Sequence, residues 1–302
     1  GVHSGDSACV LPPYSASLEV QAKIEETTYK IAQKLGVIGL INIQYAVKNG
    51  EVFVIEANPR CSRTMPFIAK ASGFPIIKVA TKLMNGMLLE EIYEFQTMKF
   101  KENVGNFHAL RNLPHYAVKE AVFSFEKFPN ADLILGPEMK STGEIIGISK
   151  NINEAFAKAI IATKYKLPKK GVVFVSLKDA DKSPKALAMV QNLHKNGFEF
   201  YSTKGTQEFL QKNGIECKLV KKASEGSPNV LDMIAQKSVH LIINTTHGRR
   251  SLTDAFAIRR ATVMSRLLYA TTLESAVMIA RGIDFQNENG GLKIFTSLQE
   301  IV

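Results

Sequence analysis

The sequence predicts an α/β chain in two parts, an α+β lobe followed by a doubly wound parallel sheet. Three observations carry that expectation. Asn42 to Thr64 reads as two strands around a Lys48-Asn49-Gly50 turn, a hairpin signal. From Gly171 onward, five short apolar runs alternate with helical segments, the rhythm of parallel strands joined by right-handed crossovers. Between them, Lys164 to Lys170, KYKLPKK, is charged with a single Pro and is the linker candidate. The expected domains are residues 1–163 and 168–302.

In the first part, Gly1 to Pro13 is loop-like. Ser17 to Leu35 carries Val20, Ile24, Ile31 and Leu35 at helical spacing, with Ser17 to cap it and Gly36 to end it. Pro66 to Ser72 and Pro75 to Asn85 read as two more helices, stopped at Gly73 and Gly86. Leu88 to Leu113 has no clear pattern. His115 to Phe128 alternates like a strand, with Lys119 and Glu120 as its polar part and a solvated edge as the plain reading. Leu135 to Ile148 turns into a closing strand, and Asn153 to Thr163 is a helix.

Composition narrows the class. A chain of 302 residues fits one to three domains, and 45% hydrophobic with 22% charged residues is ordinary for a soluble protein. No long apolar run reads as a membrane span and no leader is visible, so a cytoplasmic protein is expected. Cys9, Cys61 and Cys217 are too scattered for zinc or a disulfide framework. Cys61 reads as a small packing residue. The net charge of +10 comes without long basic runs or interleaved aromatics. Small anionic molecules fit that better than nucleic acid.

The hairpin holds the first chemistry. Phe53, Val54 and Ile55 read as a buried run, yet Asn42, Gln44, Glu56 and Asn58 interrupt the segment. A buried carboxylate needs a partner, and Glu, Gln and Asn offer oxygen to a hard cation. A three-residue loop, Lys48 to Gly50 with a bulge at Gly50, would put Gln44, Glu56 and Asn58 on one face. The competing reading is a hairpin with a solvated polar face. Arg60 and Arg63, just beyond, suit a triphosphate bridged by Mg²⁺.

These residues resemble a known family. The EANPRCSRT run, with Gln44 upstream, is similar to the metal-binding end of an ATP-grasp fold. The NPR-x-SRT variant together with GVHSGDSACVLPP resembles the large subunit of carbamoyl phosphate synthase, in its second, carbamate-phosphorylating half. The start at Gly1, inside a motif, reads as a cut from a longer polypeptide. The resemblance implies an ATP-grasp C-terminal lobe, α+β with a largely antiparallel sheet. It implies ATP and two Mg²⁺ or Mn²⁺ ions as cofactors, with Gln44, Glu56 and Asn58 as metal ligands. Gly1, Val2, His3 and Ser4 would lie against the nucleotide with Gln44 and Glu56, and Arg60 and Arg63 would be catalytic. Asp6 and Glu120 match acids on the ornithine side.

The second part gathers its polar residues at strand ends. Ser176 and Lys182 follow the first strand, Thr203-Lys204-Gly205-Thr206 the second, Lys221 and Lys222 the third. Asn244-Thr245-Thr246 with Arg249 and Arg250 follow the fourth, and Thr271 and Thr272 the fifth, behind Tyr269. Hydroxyls, lysines and helix N-termini on one edge make an anion site by their parts. The alternative is that each Thr only caps its helix. The T-K-G-T and N-T-T runs resemble the methylglyoxal-synthase-like, Rossmann-like five-stranded domain that ends this synthase family. That resemblance implies an allosteric site for UMP, and often IMP, on Ser176, Lys182, Thr203, Thr206, Lys222, Asn244 and Thr246. Tyr269 and Thr271 match ornithine contacts, although Ala270 stands where ornithine-responsive enzymes carry Asp. These runs contain no acidic residue, so lyase activity is not expected.

The expectation is therefore the C-terminal part of a ligase that phosphorylates carbamate for pyrimidine and arginine biosynthesis. Its partners would be the rest of the large subunit and a glutaminase small subunit, with no membrane or nucleic acid. No glycine-rich phosphate-covering loop precedes Gln44, so this chain alone is expected to be inactive. The alternative is a regulatory nucleotide-binding module without catalysis.

Overall fold

The computed structural model describes residues 3–96, 113–128, 135–245 and 251–292, with positions 297 and 300. The readings of Gly1, Val2, Thr246, Arg249 and Arg250 lie outside the described residues. The chain forms two compact units, Cys9–Ala117 with Phe295–Val302, and Gly1–Ala8 with Val118–Ile294.

The first of these units holds a short strand β1 (Cys9–Leu11), helix α1 (Leu18–Lys34), the hairpin β2 (Asn42–Lys48) and β3 (Glu51–Asn58), and helices α2 (Thr64–Ser72), α3 (Ile76–Met84) and α4 (Tyr93–Gln96). Ser17 Oγ caps α1 by accepting from Val20 N–H at 3.3 Å. The helix lies against the hairpin, and Thr28 Oγ1 meets the Tyr45 hydroxyl at 2.7 Å. Helix α2 ends at Gly73, in the left-handed conformation that glycine takes without strain. Lys78 and Lys82 both reach Glu94 at 2.6 Å and tie α3 to α4.

Two expectations for the hairpin are corrected. The strands close through a two-residue turn, with Asn49 at φ 53° and Gly50 at φ 78° and Lys48 paired with Glu51. The three-residue loop with a bulge at Gly50 does not form. Two left-handed residues give the turn whose twist matches the strands, and Asn and Gly adopt it most readily. Phe53, Val54 and Ile55 are not buried within this chain, at 47%, 46% and 61% exposed. The sheet has two strands, and α1 lying against it leaves these three side chains about half exposed.

The other unit contains β4 (Tyr116–Val122, from Val118 on), β5 (Gly143–Ser149), α5 (Ile152–Ala162) and the parallel-sheet elements. β4 pairs with β5, and Val118, Lys119 and Ala121 on it are buried, so the solvated-edge reading is corrected. Lys119 is only 2% exposed. Its ammonium donates to Ser4 O at 3.2 Å and Glu144 Oε1 at 2.9 Å, which makes its burial tolerable. On α5, Glu154 and Lys158 form a buried pair at 3.2 Å.

The alternating rhythm after Gly171 folds as expected. β6 (Gly171–Ser176), α6 (Pro184–Lys195), β7 (Phe198–Ser202), α7 (Lys204–Lys212), β8 (Lys218–Leu219), α8 (Val230–Ala235), β9 (Leu241–Asn244), α9 (Ser251–Met264), β10 (Leu268–Ala270) and α10 (Leu273–Glu288) follow one another. All strand pairs are parallel, in the order β10-β9-β6-β7-β8. On one face Phe174 and Ile242 pack with Val230, Ile234 and Ile258 from α8 and α9. On the other, α10 lies against α6 and α5. A Cβ at Gly282 would meet Ala157 Cβ at 3.3 Å, so glycine lets α10 and α5 approach closely. The linker candidate is anchored: Gln286 Nε2 donates to Leu167 O at 3.4 Å, and Asn287 Nδ2 to Lys169 O at 2.7 Å.

Candidate functional site

The hairpin reaches the expected arrangement by another route. The register shifts between Gln44 and Tyr45, so Tyr45 pairs with Val54 and Gln44 with Glu56, leaving Ile55 as the extra residue. Without that bulge, a two-residue turn would place Gln44 opposite Ile55, with Glu56 on the other face. With it, Gln44 faces Glu56, Asn42 faces Asn58, and Asn58 Nδ2 donates to Glu56 Oε1 at 3.0 Å. Tyr45 points to α1, so this polar face turns away from the helix. Glu56 is exposed and Gln44 half-buried.

Arg60 and Arg63 follow on exposed backbone, with Arg63 at the N-terminal boundary of α2. Arg60 Nη1 donates to Cys61 O at 3.2 Å. Cys61 is exposed, which corrects its reading as a packing residue. A carboxylate with two side-chain amides suits a hard cation shared with phosphate oxygens, the way Mg²⁺ is commonly held. Among the described residues, no group of three or more His, Cys, Asp or Glu comes together. A cation here would therefore depend on the nucleotide for much of its coordination.

The N-terminal segment is organised by its acid. Asp6, 5% exposed, accepts from Lys140 N–H at 3.0 Å and Ser141 N–H at 2.8 Å. Burial pushes its pKa up, but these hydrogen bonds outweigh burial and hold it below the usual carboxylate value. His3 Nδ1 accepts from Gly5 N–H at 3.0 Å, and Ser4 is exposed. Glu120 differs: burial pushes its pKa up to about 7, against the opposing Ala121 N–H and Lys119 charge.

The parallel sheet collects the second set. Ser176 pairs with Asn244 where the strand order reverses, at the carboxyl ends of β6 and β9, the crevice such sheets use for ligands. Both are buried, at 6% and 3% exposed. Thr203 does not cap α7; its hydroxyl meets Ser176 Oγ at 3.2 Å. Thr206 Oγ1 accepts from Leu177 N–H at 2.9 Å, and Thr245 Oγ1 from Lys178 N–H at 3.3 Å. Thr272 does cap α10, accepting from Ser275 N–H at 3.2 Å, and Thr271 is half-buried beside it.

Lys182 lies at the start of α7, where a Cβ on Gly205 would be 3.2 Å from its ammonium. An ammonium at a helix N-terminus adds positive charge to positive dipole. Asp179, at 2.6 Å from Lys182, offsets part of that, and an anion would offset more. Lys222 is exposed, and its backbone N–H donates to Glu225 Oε2 at 2.9 Å. Tyr269, beyond Asn244, is hydrogen-bonded to the Asn244 side chain.

Residues 1–92 match the family described as "Carbamoyl-phosphate synthase L chain, ATP binding domain", and residues 185–271 that described as "MGS-like domain". The "Carbamoyl phosphate synthase large chain, C-terminal section" of Aquifex aeolicus is 46% identical over 100% of this chain and 57% of its own length. The chain belongs to the carbamoyl phosphate synthase large-chain family. Large chains of Archaeoglobus fulgidus and Brucella melitensis are 48% and 45% identical, each over 94% of this chain. They cover 25% and 24% of those relatives' lengths, so the chain spans little more than half of the Aquifex protein and about a quarter of the others. It corresponds to the C-terminal part of this large subunit.

Several residues beside these sites were not legible in sequence. Lys119 and Glu144 meet across 25 residues, and Arg259 reaches the Tyr269 hydroxyl from α9 at 3.3 Å. Asp179 carried a signal, since it stands three residues before Lys182.

Proposed function

We propose that this chain supplies the metal and phosphate face of a carbamate-phosphorylating site, together with a nucleotide-sensing domain. The observation that carries the reading is the alignment of Gln44, Glu56 and Asn58 on one face. Glu56, Gln44 and Asn58 would hold two Mg²⁺ or Mn²⁺ ions, which when bound neutralise phosphate charge. Arg60 and Arg63 orient phosphate or carbamate. A carbamate oxygen attacks the γ-phosphorus of ATP, carbamoyl phosphate forms and ADP leaves. The attacking oxygen already carries charge, so positioning and electrostatics do most of the work and no general base is needed. By the resemblance, Gly1, Val2, His3 and Ser4 would contribute nucleotide contacts.

The parallel-sheet edge binds UMP or IMP through Ser176, Lys182, Thr203, Thr206, Lys222, Asn244 and Thr246. Asp6, Glu120, Tyr269 and Thr271 form an ornithine subsite, where a cation would draw the proton from Glu120. The division between residues 1–163 and 168–302 is part of this reading and falls between the two family matches. The rest of the large subunit would cover the apolar strip of Phe53, Val54 and Ile55, and a glutaminase small subunit would supply ammonia in the cytoplasm. Among the described residues no helix is long and apolar enough to cross a membrane.

The test uses the intact protein with ATP, bicarbonate and ammonia. Glu56→Gln is expected to stop carbamoyl phosphate formation while UMP still binds. Full activity in that variant would refute the metal-face reading. UMP binding by the wild type without MgATP binding would favour a regulatory module instead.

A further inference from the structure

We propose that Arg259 is a positioning residue for the nucleotide edge, setting the Asn244 amide through the Tyr269 hydroxyl. The inference rests on reading that edge as a nucleotide site. Arg259 Nε donates to Tyr269 Oη at 3.3 Å, and the Tyr269 hydroxyl is also bonded to the Asn244 side chain. The backbone explains how three elements meet. β10 and β9 are parallel with Tyr269 paired to Ile242, so Tyr269, Ile242 and Asn244 share one face of the sheet. Two residues along a strand are about 6.5 Å, within reach of a tyrosine ring. That face is the one covered by α9. Ile258, next to Arg259, is 6% exposed in the core there, which fixes the base of the arginine side chain.

The donor and acceptor chemistry gives the chain of contacts a direction. A guanidinium can only donate. The Tyr269 oxygen accepts from it and also from the Asn244 NH₂, the direction of hydrogen bond that lowers a phenol pKa. That fixes the amide with Oδ1 as the end presented to the ligand, suited to an N–H or O–H donor of a nucleotide's base or ribose, whereas the flipped amide would meet that donor NH₂-first. Burial raises the Tyr269 pKa, against the opposing charge and hydrogen bond of Arg259 and the hydrogen bond of Asn244, so the proton stays on at neutral pH. The same face continues through Ser176, the ladder partner of Asn244, to Thr203. The amide is thus held at the middle of a polar row, and Arg259 anchors one end of it.

The test is a double-mutant cycle in the intact protein, with UMP titrated by calorimetry. Tyr269→Phe is expected to weaken UMP binding by about tenfold, in line with one lost hydrogen bond to an oriented group. Arg259→Lys keeps the charge but loses the Nε donor, and should weaken binding severalfold. The double variant should be no weaker than Tyr269→Phe alone, and melting temperatures should stay within a few degrees of wild type. If either single variant melts early, Arg259→Gln replaces Arg259→Lys, with the same loss expected. Multiplying losses would overturn the relay, because Arg259 would then act on the nucleotide directly, as would a Tyr269→Phe variant that binds like wild type. Asn244→Ala separates the two levels. No loss of UMP affinity there would sink the nucleotide-site reading itself, whereas a loss with a multiplicative cycle would sink only the relay.

Discussion

The hairpin face and the parallel-sheet edge carry similar polar residues in opposite settings. Glu56 is exposed on a two-stranded sheet, with Asn58 as a neighbour at 3.0 Å. Ser176, Thr206 and Asn244 are 6%, 1% and 3% exposed, and each is bonded within the fold. A buried polar group costs about 1–3 kcal/mol when unpartnered, so the edge must be satisfied internally to fold at all. The hairpin face pays no such penalty and can keep its oxygens for a ligand. Substitutions on the hairpin should therefore remove function and spare stability, while several at the edge should disturb both.

The largest effect expected is on the hairpin side. Glu56→Gln should lower carbamoyl phosphate synthesis by roughly 10²–10³, the range for losing one electrostatic contact to a reacting centre. Its stability should change by no more than about 0.5 kcal/mol, as for an exposed position. A steady-state assay beside a urea titration checks both, and a large stability loss would erase the contrast.

At the edge, Lys222→Ala should weaken UMP binding by about ten- to a hundredfold, because a phosphate would lose a charged donor. Lys222 is itself exposed, so its folding stability should be unchanged. Thr206→Val should behave differently. It strips the acceptor from the buried Leu177 N–H, and unfolding should show a loss of about 1–3 kcal/mol.

How much of this was legible depended on whether the signal was local. The five parallel strands announced themselves, because runs such as Val172 to Ser176 and Val239 to Asn244 are apolar on both faces. Ser17 and Gly36 marked their helix ends for equally local reasons. The hairpin showed the limit. Asn49-Gly50 was readable as a turn, but the bulge at Ile55 has no compositional mark, and it alone brings Gln44 opposite Glu56. Lys119 reads in sequence as the polar part of a strand with a solvated edge, since lysines seldom bury, and its acceptor Ser4 O lies 115 residues away. Arg259 sits in a helix whose sequence gives no hint of Tyr269 beneath it.

The smallest effect compares two carboxylates. Glu120 has its pKa pushed up to about 7, mainly by burial. Its folded value lies above the unfolded one, near 4.3, so the folded chain binds more protons. The stability it contributes is full below the unfolded value and is lost as pH rises through about 7. Glu120→Gln should flatten the stability slope between pH 5 and 8, measured by denaturant titration. Asp6→Asn should leave that slope in place, because hydrogen bonds hold the Asp6 carboxyl below the usual value and its contribution is lost only at lower pH. A slope unchanged in Glu120→Gln would show that this carboxyl is solvated after all.

The central claim is that Gln44, Glu56 and Asn58 face a metal-bridged nucleotide. Electron paramagnetic resonance of Mn²⁺ with ATP on the intact protein tests it most directly. Wild type should bind Mn²⁺ tightly only when ATP is present, and Glu56→Gln should lose that nucleotide-dependent signal. An undiminished Mn²⁺–ATP signal in Glu56→Gln would contradict the account.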